Sequence, residues 1–149
     1  MSPELRPARP TDSGTLGEIL WRFQHDTPWM PELYSAAETI AFCGAMIDRG
    51  WVTVAELAGR VCGFLARDRD EICGLYVAPE VTGRGIGGAL LRAEKRRCDR
   101  LALRVFEANA AARRFYRREG FVEVARCDGR RNEETLPEIA CLWAREDLR

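Results

Sequence analysis

The residues best equipped for chemistry in this chain lie between positions 71 and 116, and the densest group is TGRGIGG at 82–88. Gly83, Gly85, Gly87 and Gly88 lack a Cβ, so the backbone there can approach an anion closely. A helix beginning at the same place would add unpaired N–H groups and a partial positive charge. A diphosphate is the natural guest for main-chain amides from Gly83 to Gly88, with Thr82, Arg84 and Ile86 carried in the same turn. The ordinary alternative is a sharp turn that needs glycine for steric reasons alone. The stretch also satisfies G-x-G-x-x-G at Gly83, Gly85 and Gly88, with Glu107 near the place of a ribose-binding acid. Against a dinucleotide fold, VAPEVT intervenes between strand and glycines, and only one βαβ unit can follow. A Walker-type loop is ruled out because no Lys-Ser or Lys-Thr follows the glycines.

Polar and aromatic residues flank this group. Asn109 stands immediately before NAAARRFYRREG, where its ordinary role is to cap a helix. Phe115 and Tyr116 are adjacent on that helix and so point about 100° apart; Phe115 suits the core, which leaves the Tyr116 hydroxyl for chemistry. Glu71 opens the strand EICGLYV. A carboxylate base at Glu71, acting directly or through water, would contribute about 10²–10⁴ in rate; an exposed strand-end carboxylate is the ordinary alternative. His25, Trp29 and Glu32 gather in HDTPWMPELY, aromatic and acidic groups that would suit a cation, although Trp29 could equally anchor the loop. GRRNEETLPE, with Asn132, Glu133 and Glu134, is the longest polar connection and a candidate for the substrate side.

The elements that must position these residues follow from periodicity and punctuation. ELRP reads as a short strand, then a helix capped by Thr11 or Asp12 runs to about Gln24, and Ser35 caps a second helix over SAAETIAFCGAMIDRG. WVTVAEL, VCGFLAR and EICGLYV form an antiparallel meander joined by AGR and DRD. IGGALLRAEKRRC is helical, LALRVF a strand, NAAARRFYRREG a helix stopped by Gly120, and FVEVAR and IACLWAR are closing strands. The chain of 149 residues fits one domain spanning 1–149.

Composition removes several classes of function. The hydrophobic fraction of 46% supports a packed core, and 23 basic residues balance 23 acidic ones, leaving no net field to hold nucleic acid. The six cysteines form no C-x-x-C pair and the lone His25 has no ligand-spaced neighbour, so no metal site is expected. No apolar run approaches the roughly 20 residues of a membrane span or has signal-peptide character, so a cytoplasmic protein with reduced thiols and no membrane partner is expected.

LYVAPEVTGRGIGGALL, followed by EANAAARRFYRREGF, resembles the two signature segments of the Gcn5-related N-acetyltransferase (GNAT) family. The first is similar to its acetyl-coenzyme A motif and the second to its Asn-x-x-Ala, aromatic pair and Gly-Phe. Thr82 departs from the pattern, standing where the family usually has Gln or Arg. The resemblance implies an α/β (α+β) fold with a mixed, mostly antiparallel sheet of about six or seven strands. About four helices would flank it, and it would be splayed between the strands at 71–77 and 101–107. It implies acetyl-coenzyme A as cosubstrate and a primary amine, of a small molecule, as acceptor, attacked directly in a ternary complex. The main chain of Leu75, Tyr76 and Val77 would pair with the pantetheine arm. The backbone of 83–88 would hold the pyrophosphate, with Arg84 offsetting Thr82. Asn109 would contact the coenzyme, and Tyr116 would protonate the departing thiolate. The loop with His25, Trp29 and Glu32 would border the acceptor cleft. Homodimers are common in the family, and a non-catalytic acyl-coenzyme A sensor on the same fold is the alternative.

Overall fold

The computed structural model describes residues 2–148. Strand β1 (Glu4–Pro7) ends at proline, and Arg6 within it bridges Asp12 (2.8 Å) and Glu56 (2.6 Å). Helix α1 covers Ser13–Asp26, two residues further than the periodicity predicts. Asp12 stands at its cap position, yet its carboxylate accepts from the Arg6 guanidinium and the Arg9 N–H, so no side chain caps the helix. That corrects the capping role expected of Thr11 or Asp12: a charge-assisted bond to Arg6 outcompetes a neutral amide. Helix α2 (Ala36–Asp48) begins as expected, with Ser35 and Glu38 exchanging bonds in a capping box.

Strands β2 (Val52–Leu57) and β3 (Arg60–Asp68) are joined by Ala58 and Gly59, both at positive φ (51° and 77°), the backbone that a two-residue hairpin requires. Strand β4 (Glu71–Val77) returns antiparallel, and helix α3 (Ile86–Lys95) crosses to β5 (Arg100–Phe106), which lies parallel to β4. Helix α4 (Ala110–Arg118) stops at Gly120 (φ 92°), followed by β6 (Val122–Cys127) and β7 (Glu138–Ala144). Among the described residues seven strands run in the order β1-β2-β3-β4-β5-β7-β6, and only the β4–β5 contact is parallel. The predicted element order and mixed sheet are those observed.

Two cores sandwich the sheet. Leu16, Leu20 and Cys43 from α1 and α2 pack on Val54 and Phe64, and Leu90 and Leu91 from α3 pack with Leu65, Leu101, Leu103 and Val105. Helices α1 and α2 approach closely at Gly17, where an added Cβ would lie 2.7 Å from the Ile40 Cα. Gly17→Ala is therefore expected to force the helices apart and lower stability by about 1–3 kcal/mol despite alanine's helix propensity, read as a fall in Tm. The most deeply buried charge among the described residues is Glu94 on α3, 2% exposed, which holds Arg67 of β3 at 2.6 Å and takes a long bond from Thr53 (3.4 Å).

Candidate active site

Strands β4 and β5 pair only at Glu71↔Ala102 and Ile72↔Leu103, and beyond that they part. The outer edge of β4 stays paired with β3 as far as Val77, but Cys73 is skipped between Ile72 and Gly74, so it is the extra residue of a β-bulge. From Cys73 onward the edge of β4 that faces the gap has no strand partner. The gap opens into a cavity of about 190 Å³ walled by β4 from Ile72 to Val77 and β5 from Leu103 to Phe106, and closed by Phe23, Asn109, Ala112 and Tyr116. Leu75, Tyr76, Val77, Asn109 and Tyr116, predicted from sequence, are thus brought to one cavity.

Beyond Val77 the chain turns through Pro79–Val81 into the glycine loop. Gly83 and Gly85 have φ of 85° and 78°, and a Cβ at either would meet open space, so glycine is required there by backbone conformation. Gly85 occupies the cap position of α3 without a side-chain cap. Thr82 and Arg84 spend their N–H groups on Pro79 and Val81, while those of Gly83, Gly85, Ile86, Gly87 and Gly88 find no acceptor among the described residues. Four successive free donors from Gly85 to Gly88 converge at a helix start, a ready cradle for an anion. The Ile86 side chain is buried in the core, so only its main chain is available. Asn109 caps α4, its Oδ1 accepting from the Ala112 N–H at 3.1 Å. Its amide nitrogen remains available to the cavity.

Burial on α4 departs from expectation. Tyr116 is the buried ring (9% exposed), packed edge-on between Phe115 (5.2 Å) and Phe121 (5.6 Å), while Phe115 is only half-buried. Phe115 instead rests beside Gly87, whose added Cβ would meet its ring at 3.5 Å, so the ring props the start of α3. The Tyr116 hydroxyl has no hydrogen-bond partner among the described residues, yet it is not sealed in. Burial pushes this phenol well above its ordinary pKa, and it pushes Tyr76 up to about 12, with the Glu134 carboxylate adding to the latter. Both rings keep their protons throughout the neutral range.

The other side of the cavity is aromatic. Phe23 touches Tyr76 (5.3 Å) and Trp29 (6.3 Å), and Trp29 meets Phe106 edge-on (5.6 Å). Trp29 therefore stands at the rim, whereas His25 and Glu32 form an exposed pair at 2.8 Å outside the lining, His25 stacked on Trp21. Asn132 fixes the loop between β6 and β7 by exchanging bonds with Leu136 and donating to Glu138, and desolvation raises the carboxyl of Glu134 within that loop. Glu71 is exposed at the paired end of β4 and does not line the cavity.

Cys73, Gly74, Arg104, Phe23 and Phe106 line the cavity without having been singled out from sequence. Gly74 is needed because the Tyr76 ring lies over it, 2.9 Å from where a Cβ would be. Burial and the Glu71 carboxylate raise the Cys73 thiol, which leaves it a poor nucleophile. Arg104 was legible: in LALRVF, Leu101, Leu103 and Val105 are buried by alternation, which sends Ala102, Arg104 and Phe106 to the opposite face. The bulge at Cys73 depends on register with β3 and leaves no local mark.

The family profile described as "Acetyltransferase (GNAT) domain" matches residues 48–123, slightly over half of the chain. Over 78 residues the chain is 38% identical to an uncharacterized N-acetyltransferase of Methanocaldococcus jannaschii, covering 46% of this chain and 50% of that protein. Over 96 residues it is 31% identical to the peptidyl-lysine N-acetyltransferase YiaC of Escherichia coli, covering 64% and 63%. The matches thus span under two thirds of these curated relatives. Among solved structures, yncA of Salmonella typhimurium, determined with its cofactor acetyl-CoA, superposes with a TM-score of 0.73 at 23% identity over 97% of this chain and 94% of that one. The chain belongs to the GNAT acetyltransferase family, and its fold is that family's fold.

Proposed function

We propose that this protein is an N-acetyltransferase that moves the acetyl group of acetyl-CoA to a primary amine of a small molecule by direct attack in a ternary complex. The observation that carries this reading is the parting of β4 and β5 after two residue pairs, in line with a helix start bearing free N–H groups. The donor set fits a diphosphate joined to an extended, amide-bearing arm. The loop at 83–88 offers main-chain donors for the charge, and the open edge of β4 from Cys73 to Val77 offers main-chain partners for the arm. When bound there, acetyl-CoA supplies an activated acyl group as a thioester.

This chain's own residues then do the rest. Main-chain N–H groups of β4 that face the gap would polarise the acyl carbonyl, as fixed donors aimed at developing negative charge. Asn109 donates to the arm through its amide. Tyr116, whose hydroxyl keeps its proton and has no hydrogen-bond partner among the described residues, would donate to the departing sulfur. The aromatic wall of Phe23, Tyr76, Trp29 and Phe106 excludes water from the acceptor and tolerates a cation. Glu71 lies outside the lining, so a proton passing from the amine to its carboxylate travels through water. YiaC is named for acetylating peptidyl lysine and yncA is described with acetyl-CoA, which supports an amine acceptor and this cosubstrate here.

Calorimetry should show saturable 1:1 binding of acetyl-CoA, and a panel of amines should give acceptor-dependent thiol release. No saturation at millimolar acetyl-CoA with folded protein would end this reading. Tight binding with no release for any amine would instead identify an acyl-CoA sensor.

A further inference from the structure

Arg104 is the cavity's unexplained charge. It lines the gap from β5, is exposed, and makes no ion pair or side-chain hydrogen bond among the described residues. Its side chain leaves β5 on the same face as Phe106, and its cross-strand neighbour on β7 is the small Ala140. The nearby carboxylates do not neutralise it. Glu138, opposite Phe106, receives a bond from Asn132 at 3.0 Å, and Glu71, opposite Ala102, forms no salt bridge with Arg104. Nor does Arg104 serve the diphosphate cradle. It lies one residue beyond the last β4–β5 pair, level with Cys73, whereas the cradle follows Val77, four residues and about 13 Å further along β4.

An arginine at the apex of a cleft with no partner among the described residues is a planar fork with two parallel donors, shaped for a carboxylate. We infer that the acceptor is a free amino acid whose carboxylate is gripped by Arg104 while its amine lies at the apex, where the strands part. The inference rests on the acetyltransferase reading above and adds the substrate class. Because Arg104 is adjacent to the apex, the carboxylate must be close to the reacting nitrogen, as it is in an α- or β-amino acid and is not in the side chain of a peptidyl lysine. No bond to Arg104 forms or breaks during transfer; it is a positioning residue.

The test compares each amino acid of a panel with its own carboxamide, in wild type, Arg104→Gln and Arg104→Lys, by acetyl-CoA-dependent thiol release. Wild type should prefer acid over amide by about 10- to 100-fold in kcat/KM, mostly through KM. Arg104→Gln should erase that preference, and Arg104→Lys should keep part of it, with acetyl-CoA affinity and Tm unchanged in both. Equal use of acid and amide by wild type, a preference that survives in Arg104→Gln, or transfer confined to lysine-bearing peptides would each overturn the inference and leave the acetyltransferase reading standing. Binding of acetyl-CoA with no transfer to any amine would remove both.

Discussion

Tyr116→Phe is expected to lower turnover by about 10²–10⁴-fold while leaving acetyl-CoA affinity within about twofold of wild type. The substitution removes one oxygen from a ring that Phe115 and Phe121 hold edge-on at 5.2 and 5.6 Å, so packing is preserved and the loss reports the hydroxyl alone. That hydroxyl has no partner among the described residues. Burial raises its pKa above the ordinary tyrosine value, so the proton is in place at every pH of a normal assay. The wild-type profile should consequently show no loss of rate below about pH 10 that is due to tyrosine ionisation. A variant that turned over every accepted amine at the wild-type rate would remove Tyr116 from the chemistry. Equal losses in turnover and acetyl-CoA affinity would make it a binding group instead.

The largest effect on stability is expected from Arg67→Met, about 3–5 kcal/mol by urea denaturation. Glu94 is almost fully enclosed beneath α3, and Arg67 at 2.6 Å is its charged partner; without it, the carboxylate keeps, among the described residues, only the 3.4 Å contact from Thr53. Arg67 also donates to the Arg69 carbonyl, so its loss loosens the turn in which Arg69 is held at φ 59°. Glu94→Gln should be milder, since it leaves a neutral group and an arginine whose side chain is 23% exposed and can turn to water. Combining Arg67→Met with Glu94→Leu should recover most of the loss, because removing both charges abolishes the desolvation penalty. A double variant no more stable than Arg67→Met would show that shape, and not the buried charge, sets the cost.

The sequence carried the features set by nearest neighbours. The capping box of Ser35 and Glu38, the stop at Gly120, the positive-φ hairpin at Ala58–Gly59 and the glycine loop are each encoded within a few residues, and the element order follows from them. Features set by pairing across the sheet were less accessible. The bulge at Cys73, the exclusion of Glu71 from the cavity and the position of Trp29 against Phe106 all depend on which strand lies beside which and in what register. Phe115 and Tyr116 show a third kind of difficulty. Helical geometry says that the two rings diverge, but which one is buried depends on how α4 rolls against Phe121 and the start of α3. Asp12 shows a fourth, since a residue of the right type at the right place was claimed by an arginine from another element.

Two rungs alone fasten the four-stranded half of the sheet to the three-stranded half, and the rest of that junction is held by side chains such as Ile72, Leu103 and Val105. An elongated guest laid in the opening would act as a surrogate strand, completing main-chain pairing that the polypeptide leaves undone. At a hundred times its dissociation constant, such a guest adds about 2.7 kcal/mol of resistance to unfolding. The durability of this protein would then rise and fall with the supply of that guest.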